Sequence, residues 1–138
     1  MRNIATRHRN VTIYNKITDN NVLYQTGDIL VLPRKYGGNC LVLNEALAAG
    51  MPVIMPDIEP NNHILPKEWL VPAFITGHFE PRTPVEIYDT DIAMLRQKID
   101  WFKQQDITEL SRQASAIADT ISWTTLKPKY IEVLKGLL

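Results

Sequence analysis

The stretch Gly27-Asp28-Ile29-Leu30-Val31-Leu32-Pro33-Arg34-Lys35-Tyr36-Gly37-Gly38-Asn39-Cys40-Leu41-Val42-Leu43-Asn44-Glu45-Ala46-Leu47-Ala48-Ala49-Gly50-Met51-Pro52-Val53-Ile54 decides the fold. Its apolar run Ile29 to Leu32 is short, partly β-branched and stopped by Pro33, which predicts a strand buried on both faces of a parallel sheet. Gly37 and Gly38 then permit backbone conformations and a close approach that a Cβ would obstruct. A helix is expected to begin near Asn39 to Leu41, with its first amides unpaired and turned toward the loop. Such a terminus attracts anions, phosphate above all. Leu43, Ala46 and Leu47 supply the apolar face of that helix, Gly50 ends it, and Pro52 leads into Val53-Ile54-Met55. The unit is β-loop-α-β, with a right-handed crossover.

Outward from this unit, Met1 to Asn10 is polar and basic without a period and reads as a linker-like start. Val11 to Tyr14 alternates as a strand, and Thr18 or Asp19 is placed to cap a short helix through Tyr24. Pro56 to Lys67, rich in proline and asparagine, reads as a loop at the carboxyl end of a strand. Ligands of open parallel sheets bind at such ends. Trp69 to Ile75 and Val85 to Tyr88 are further strand candidates. Helical periodicity fills the last third: Ile92, Leu95, Ile99 and Phe102, then Ile107, Leu110, Ala114, Ile117 and Ile121, with Asp106 and Glu109 spaced as a capping box. Tyr130, Val133, Leu134 and Leu137 form a third stripe, and Pro128 is expected only in the first turn of its helix. The expectation is an α/β fold, a mainly parallel Rossmann-like sheet flanked by helices, forming a single domain over residues 11–138.

The chain has 138 residues, 45% of them hydrophobic, enough for one core. Fifteen basic residues balance fifteen acidic ones, so no global field recruits nucleic acid or an anionic membrane. One cysteine rules out an internal disulfide framework. No apolar run reaches the length of a membrane span or signal-peptide core, and a cytoplasmic location is the expectation.

The strand, proline and glycine loop followed by Glu45-Ala46-Leu47-Ala48-Ala49-Gly50-Met51-Pro52-Val53-Ile54 resemble the C-terminal donor-binding domain of retaining glycosyltransferases of the double-Rossmann (GT-B) type, group 1 family. The family reads Pro-Ser-x-x-Glu-Gly-Phe-Gly and then Glu-Ala-Met-Ala-x-Gly-x-Pro-Val-Ile. Val22-Leu23-Tyr24 upstream and Ile121-Ser122-Trp123 near the end also fit the family pattern, so the likeness runs over roughly residues 11–138. It implies transfer of a sugar from a nucleotide diphosphate sugar to an acceptor, with no metal cofactor.

The family carries a pair of glutamates, the first approaching the transferred sugar and the second holding the nucleotide ribose. Glu45 matches the second, while Gly37 stands where the first belongs. A carboxylate suits a ribose because it accepts from neighbouring hydroxyls, and charge-assisted bonds are the stronger kind. The resemblance thus implies a nucleotide-sugar site made of Arg34, Lys35, Tyr36, Gly37, Gly38, Asn39, Cys40, Leu41 and Glu45, with no catalytic residue assigned. Each has a plainer reading: a tight turn for the glycines, a solvated helix position for Glu45, surface charges for Arg34 and Lys35, and a small residue opening a helix for Cys40.

The family's donor domain begins with further strands and helices, bearing a basic pair for the pyrophosphate, that have no counterpart here. The chain therefore reads as cut short at its N-terminal side. Its implied partners are the nucleotide-sugar donor and an N-terminal acceptor domain, in cis or on a partner chain. The competing reading is a non-catalytic nucleotide-binding or assembly module that keeps the fold. Asp89-Thr90-Asp91 has the spacing of a metal-bound aspartate pair, but its place before an amphipathic helix favours capping. His8, His63 and His78 lack ligand spacing, and only His63 falls near the expected cleft, beside Asn61 and Asn62.

Overall fold

A computed structural model describes residues 10–12, 19–80 and 82–137. The structure is mixed α/β. A short helix α1 (Asn20–Leu23) precedes β1 (Leu30–Val31), α2 (Leu41–Ala48) and β2 (Val53–Pro56). The order continues with β3 (Leu70–Val71), β4 (Ala73–Phe79), β5 (Val85–Thr90), α3 (Ile92–Phe102), α4 (Ile107–Thr120) and α5 (Trp123–Lys135). The expected β-loop-α-β unit is present: β1 and β2 pair in parallel, Leu30 opposite Val53 and Val31 opposite Ile54. β3 extends the sheet on the other side, Met55 opposite Leu70, to give the order β1-β2-β3. The central strand β2 is the one buried on both faces, whereas Val31 of β1 is exposed. Among the described residues β1 is therefore an edge strand, contrary to expectation. Ile13, Tyr14 and Thr18 lie outside the described residues; Val11 and Thr12 carry no regular structure.

The run Trp69 to Ile75 does not form one strand. Pro72 offers no N–H to a ladder, and the chain changes partner there: Leu70 and Val71 stay in the parallel sheet while Ala73–Phe79 pairs antiparallel with β5. The Pro72 carbonyl accepts instead from the Asp91 N–H at 3.0 Å. A bulge between Ile75 and Gly77 shifts the hairpin register, and the N–H of Tyr88 reaches the Lys35 carbonyl at 2.8 Å. The hairpin is thereby tied to the loop after β1.

The core joins α2 (Leu43, Ala46, Leu47), β2, β3, Trp69, Phe102 of α3, and Leu110 and Ala114 of α4. Trp69 and Phe102 meet edge to face, centroids 5.9 Å apart, a preferred aromatic geometry. Leu95, Ile99, Ile117 and Ile121 are half-buried against this cluster as their periodicity requires, but Ile92 and Ile107, at the helix starts, are exposed. Asp91 caps α3 by accepting from the Met94 N–H at 2.9 Å, and Asp106 caps α4 through Thr108 at 2.8 Å. The capping box is only half formed. Glu109 turns to Arg112 and Gln113 instead, and these bonds hold its carboxyl down at about 2.

The third stripe is a helix without a buried face. Tyr130, Val133 and Leu134, and Leu137 just beyond α5, are exposed. Ser122 caps α5, so Pro128 lies inside the helix rather than in its first turn; its missing N–H falls in a segment packed by no core residue. No helix among the described residues is long and apolar enough to cross a membrane.

At the end of α2, Gly50 adopts φ +71°, and a Cβ there would stand 2.9 Å from Ser111 Oγ and 3.2 Å from Ser115 Oγ. That close approach lets α2 pack on α4. Gly50→Ala is expected to cost about 1–3 kcal/mol for the left-handed conformation, measured as a lower urea midpoint at unchanged slope.

Candidate functional site

The chain leaves β1 at Leu32, whose N–H still bonds the Ile54 carbonyl at 2.9 Å, and crosses Pro33 to the glycine loop. The Gly38 carbonyl is held twice, by Arg34 Nη1 at 3.1 Å and by Asn61 Nδ2 at 2.9 Å. Arg34 Nη2 also donates to the Gly37 carbonyl at 3.4 Å, and the Gly38 N–H reaches the Glu59 carbonyl at 3.2 Å. Asn61 is the buried polar residue in this region, 2% exposed. A buried amide left unpaired costs about 1–3 kcal/mol, so its bond fixes the loop. Asn61 was legible only as a polar loop residue; its burial was not.

Two different constraints require the glycines. Gly38 has φ +94° with open space around its would-be Cβ, so conformation alone demands glycine. At Gly37 space decides: a Cβ would lie 2.6 Å from the Glu59 carbonyl oxygen. The backbone therefore leaves no room for a side chain at position 37.

Beyond the loop, Cys40 takes the N-cap position of α2 with extended backbone and makes no side-chain cap. It is 7% exposed and joins the core, the small-residue role its position suggested. The first amides of α2 have no side-chain acceptor at the cap, and Leu41 beside them is 73% exposed. Further along α2, Glu45 is exposed and accepts from the Tyr24 hydroxyl at 2.7 Å through Oε2. Burial, and then this bond, push the Tyr24 phenol up to about 12. One oxygen of Glu45 is thus positioned while the carboxylate keeps further accepting capacity. Tyr24, read from sequence only as the end of a short helix, is the residue that orients it.

The basic pair separates. Arg34 turns inward to the loop carbonyls, while Lys35 pairs with Asp89 at 3.2 Å on an exposed surface. Arg34, Lys35, Phe74 and Asp89 line a cavity of about 380 Å³ on that side. Tyr36 and Asn39 are exposed on the loop. With Asp89 paired and Asp91 capping α3, the aspartate pair is accounted for, and no group of three metal-ligating side chains occurs among the described residues. His63 lies 3.5 Å from the Glu59 carboxylate, largely exposed.

A wider opening, about 770 Å³, also borders the glycine loop. Gly37 and Gly38 form one wall, the loop after β2 (Asp57, Glu59, Asn62) a second, and the hairpin (His78, Glu86, Tyr88) a third. The Tyr88 hydroxyl donates to Glu86, and chiefly this bond raises its pKa above the ordinary value. Sequence reading singled out Gly37, Gly38 and Glu45 as candidates but not this third wall, since the hairpin itself was not foreseen.

The profile of the family Glycosyl transferases group 1 matches residues 5–119. No curated protein and no solved structure matches the chain at comparable significance.

Gly37→Ala is expected to displace the loop or lose about 1–3 kcal/mol, as overpacking against backbone does, read as a fall in thermal midpoint. The raised Tyr24 pKa stabilises the fold below the ordinary value of 10.0, and that contribution is lost as pH rises through about 12. In a Tyr88→Phe background, which removes the other tyrosine whose pKa is raised, tyrosinate absorbance should show the late ionisation of Tyr24. In Glu45→Gln it should move toward 10.0 without reaching it, because burial is the larger cause; an unmoved midpoint refutes the Tyr24–Glu45 bond.

Proposed function

The chain belongs to the group 1 glycosyl transferases, and from that premise we propose that it is the donor-binding unit of a GT-B enzyme, taking a nucleotide diphosphate sugar. The observation that carries the proposal is the uncapped start of α2 directly after a clamped glycine loop, with Glu45 held ready by Tyr24 on the same helix. The diphosphate lies against the amides of Asn39 to Leu41, where the helix terminus offers donors and partial positive charge, while the Gly38 N–H stays with the Glu59 carbonyl. Arg34 adds a full positive charge beside them, and its guanidinium has more donors than the two loop carbonyls use. Tyr36 and Asn39 border this position, with Lys35 at its edge. Glu45 accepts from the ribose hydroxyls.

In such a reaction the nucleotide leaves as its diphosphate charge grows, so preorganised amides and a guanidinium lower the barrier more than they tighten substrate binding. Residues 11–138 act in this proposal as one partial Rossmann-like domain. The acceptor is presented by an N-terminal domain, in cis or on a partner chain, because holding both substrates together supplies much of the rate. A cytoplasmic setting belongs to the proposal, with the single cysteine buried and unpaired.

A second reading has its own support. Because a Cβ at position 37 would meet the Glu59 carbonyl at 2.6 Å, the loop is shaped for a site without the first glutamate. That favours a module that binds nucleotide without transferring the sugar.

Calorimetry with UDP, GDP and ADP tests the site. One of them is expected to bind, and Glu45→Ala to weaken it by about 1–3 kcal/mol. Unchanged affinity in the variant removes the ribose role, and no binding of any of the three at millimolar concentration rejects the donor site. Radiolabelled sugar transfer by the longest natural chain separates the enzyme from the binding module.

A further inference from the structure

The opening of about 770 Å³ beside the glycine loop falls in the range of about 300–1,000 Å³ common to small-molecule sites. Its charge is one-sided. Asp57, Glu59 and Glu86 line it, and among the described residues no lysine or arginine does, His78 being the lining side chain that can gain a proton. The partners of these carboxylates are neutral or only conditionally charged: Asp57 accepts from Asn62 Nδ2 at 2.8 Å, Glu86 from Tyr88, and Glu59 faces His63 at 3.5 Å. Arg34, on the adjoining loop, spends bonds on the carbonyls of Gly37 and Gly38. The lining is thus rich in acceptors and poor in donors. Hydroxyl and ammonium groups complement such a lining; carboxylates and phosphates do not.

We propose that this cleft holds the transferred sugar and that Asp57, Glu59 and Glu86 select a neutral or amino sugar over a carboxylated one. The proposal rests on the donor-site reading above, because the glycine loop then stands between the diphosphate and the cleft. It also supplies what Gly37 lacks, since carboxylates from the loop after β2 and from the hairpin take over hydrogen bonding to the sugar hydroxyls. A like charge about 4 Å from a carboxylate costs about 1–4 kcal/mol, depending on exposure. This corresponds to at least about a fivefold loss of affinity for an anionic sugar.

The test uses the full chain and free monosaccharides, so it does not depend on nucleotide binding. Amide spectra are recorded during titration with glucose, glucosamine and glucuronate at neutral pH. Glucose and glucosamine should move the amides of Gly37, Gly38, Asn62 and Tyr88, and glucuronate should move them at least about fivefold more weakly. Glu59→Gln combined with Glu86→Gln, both at exposed positions, should narrow that gap while leaving the thermal midpoint unchanged. Glucuronate binding as tightly as glucose overturns the proposal, and so does silence of these amides with all three sugars. If nucleotide binds by calorimetry while the sugars fail, the cleft inference falls alone. If sugars bind with the stated preference but no nucleotide does, the donor-site reading is the one that falls.

Discussion

The Gly38 carbonyl, shared by the Arg34 guanidinium and the buried Asn61 amide, is the contact on which the local structure depends. It joins the loop leaving β1 to the loop leaving β2, with the Gly38 N–H completing the tie through Glu59. Two adjacent parallel strands therefore deliver their carboxyl ends to one fixed point, as open α/β sheets do at their ligand sites. From that point α2 starts at a set place without a side-chain cap. The same loop forms a wall of the wide cleft. An unpaired Asn61 in this interior would cost more than its bond contributes net, which is why the loop is held in one arrangement.

What the sequence revealed followed from local pattern. The β-loop-α-β unit was legible because its apolar runs, glycines and prolines are contiguous between Gly27 and Ile54. The β4–β5 hairpin was not, because Phe74, Ile75 and Phe79 are exposed and give no clean alternation, while Pro72 divides what looked like one strand. The third apolar stripe was legible as a helix, but periodicity alone does not say whether a face is covered, and α5 buries none of its residues. At the candidate site, the motif singled out Gly37, Gly38 and Glu45 as expectations. Tyr24 and Asn61 were missed because their partners lie 21 and 23 positions away, beyond any helical or strand period.

The chain belongs to the group 1 glycosyl transferases, and the glycine loop at position 37 is sterically closed. Position 37 is filled by backbone contact with Glu59, so a carboxylate cannot simply be restored there by substitution. The start of α2 lacks a side-chain cap and lies near Arg34, while the cleft bordered by the same loop is lined by Asp57, Glu59 and Glu86. A nucleotide sugar is charged at the diphosphate and hydroxylated at the sugar.

The most direct measurement is a map of backbone amide shifts as the nucleoside diphosphate is titrated into the isotope-labelled chain. The account predicts that Gly38, Asn39, Cys40 and Leu41 respond together and saturate at one concentration, with the Tyr24 and Glu45 signals following them. Saturation with those four amides unmoved, or a response centred on α4 and α5, would contradict it.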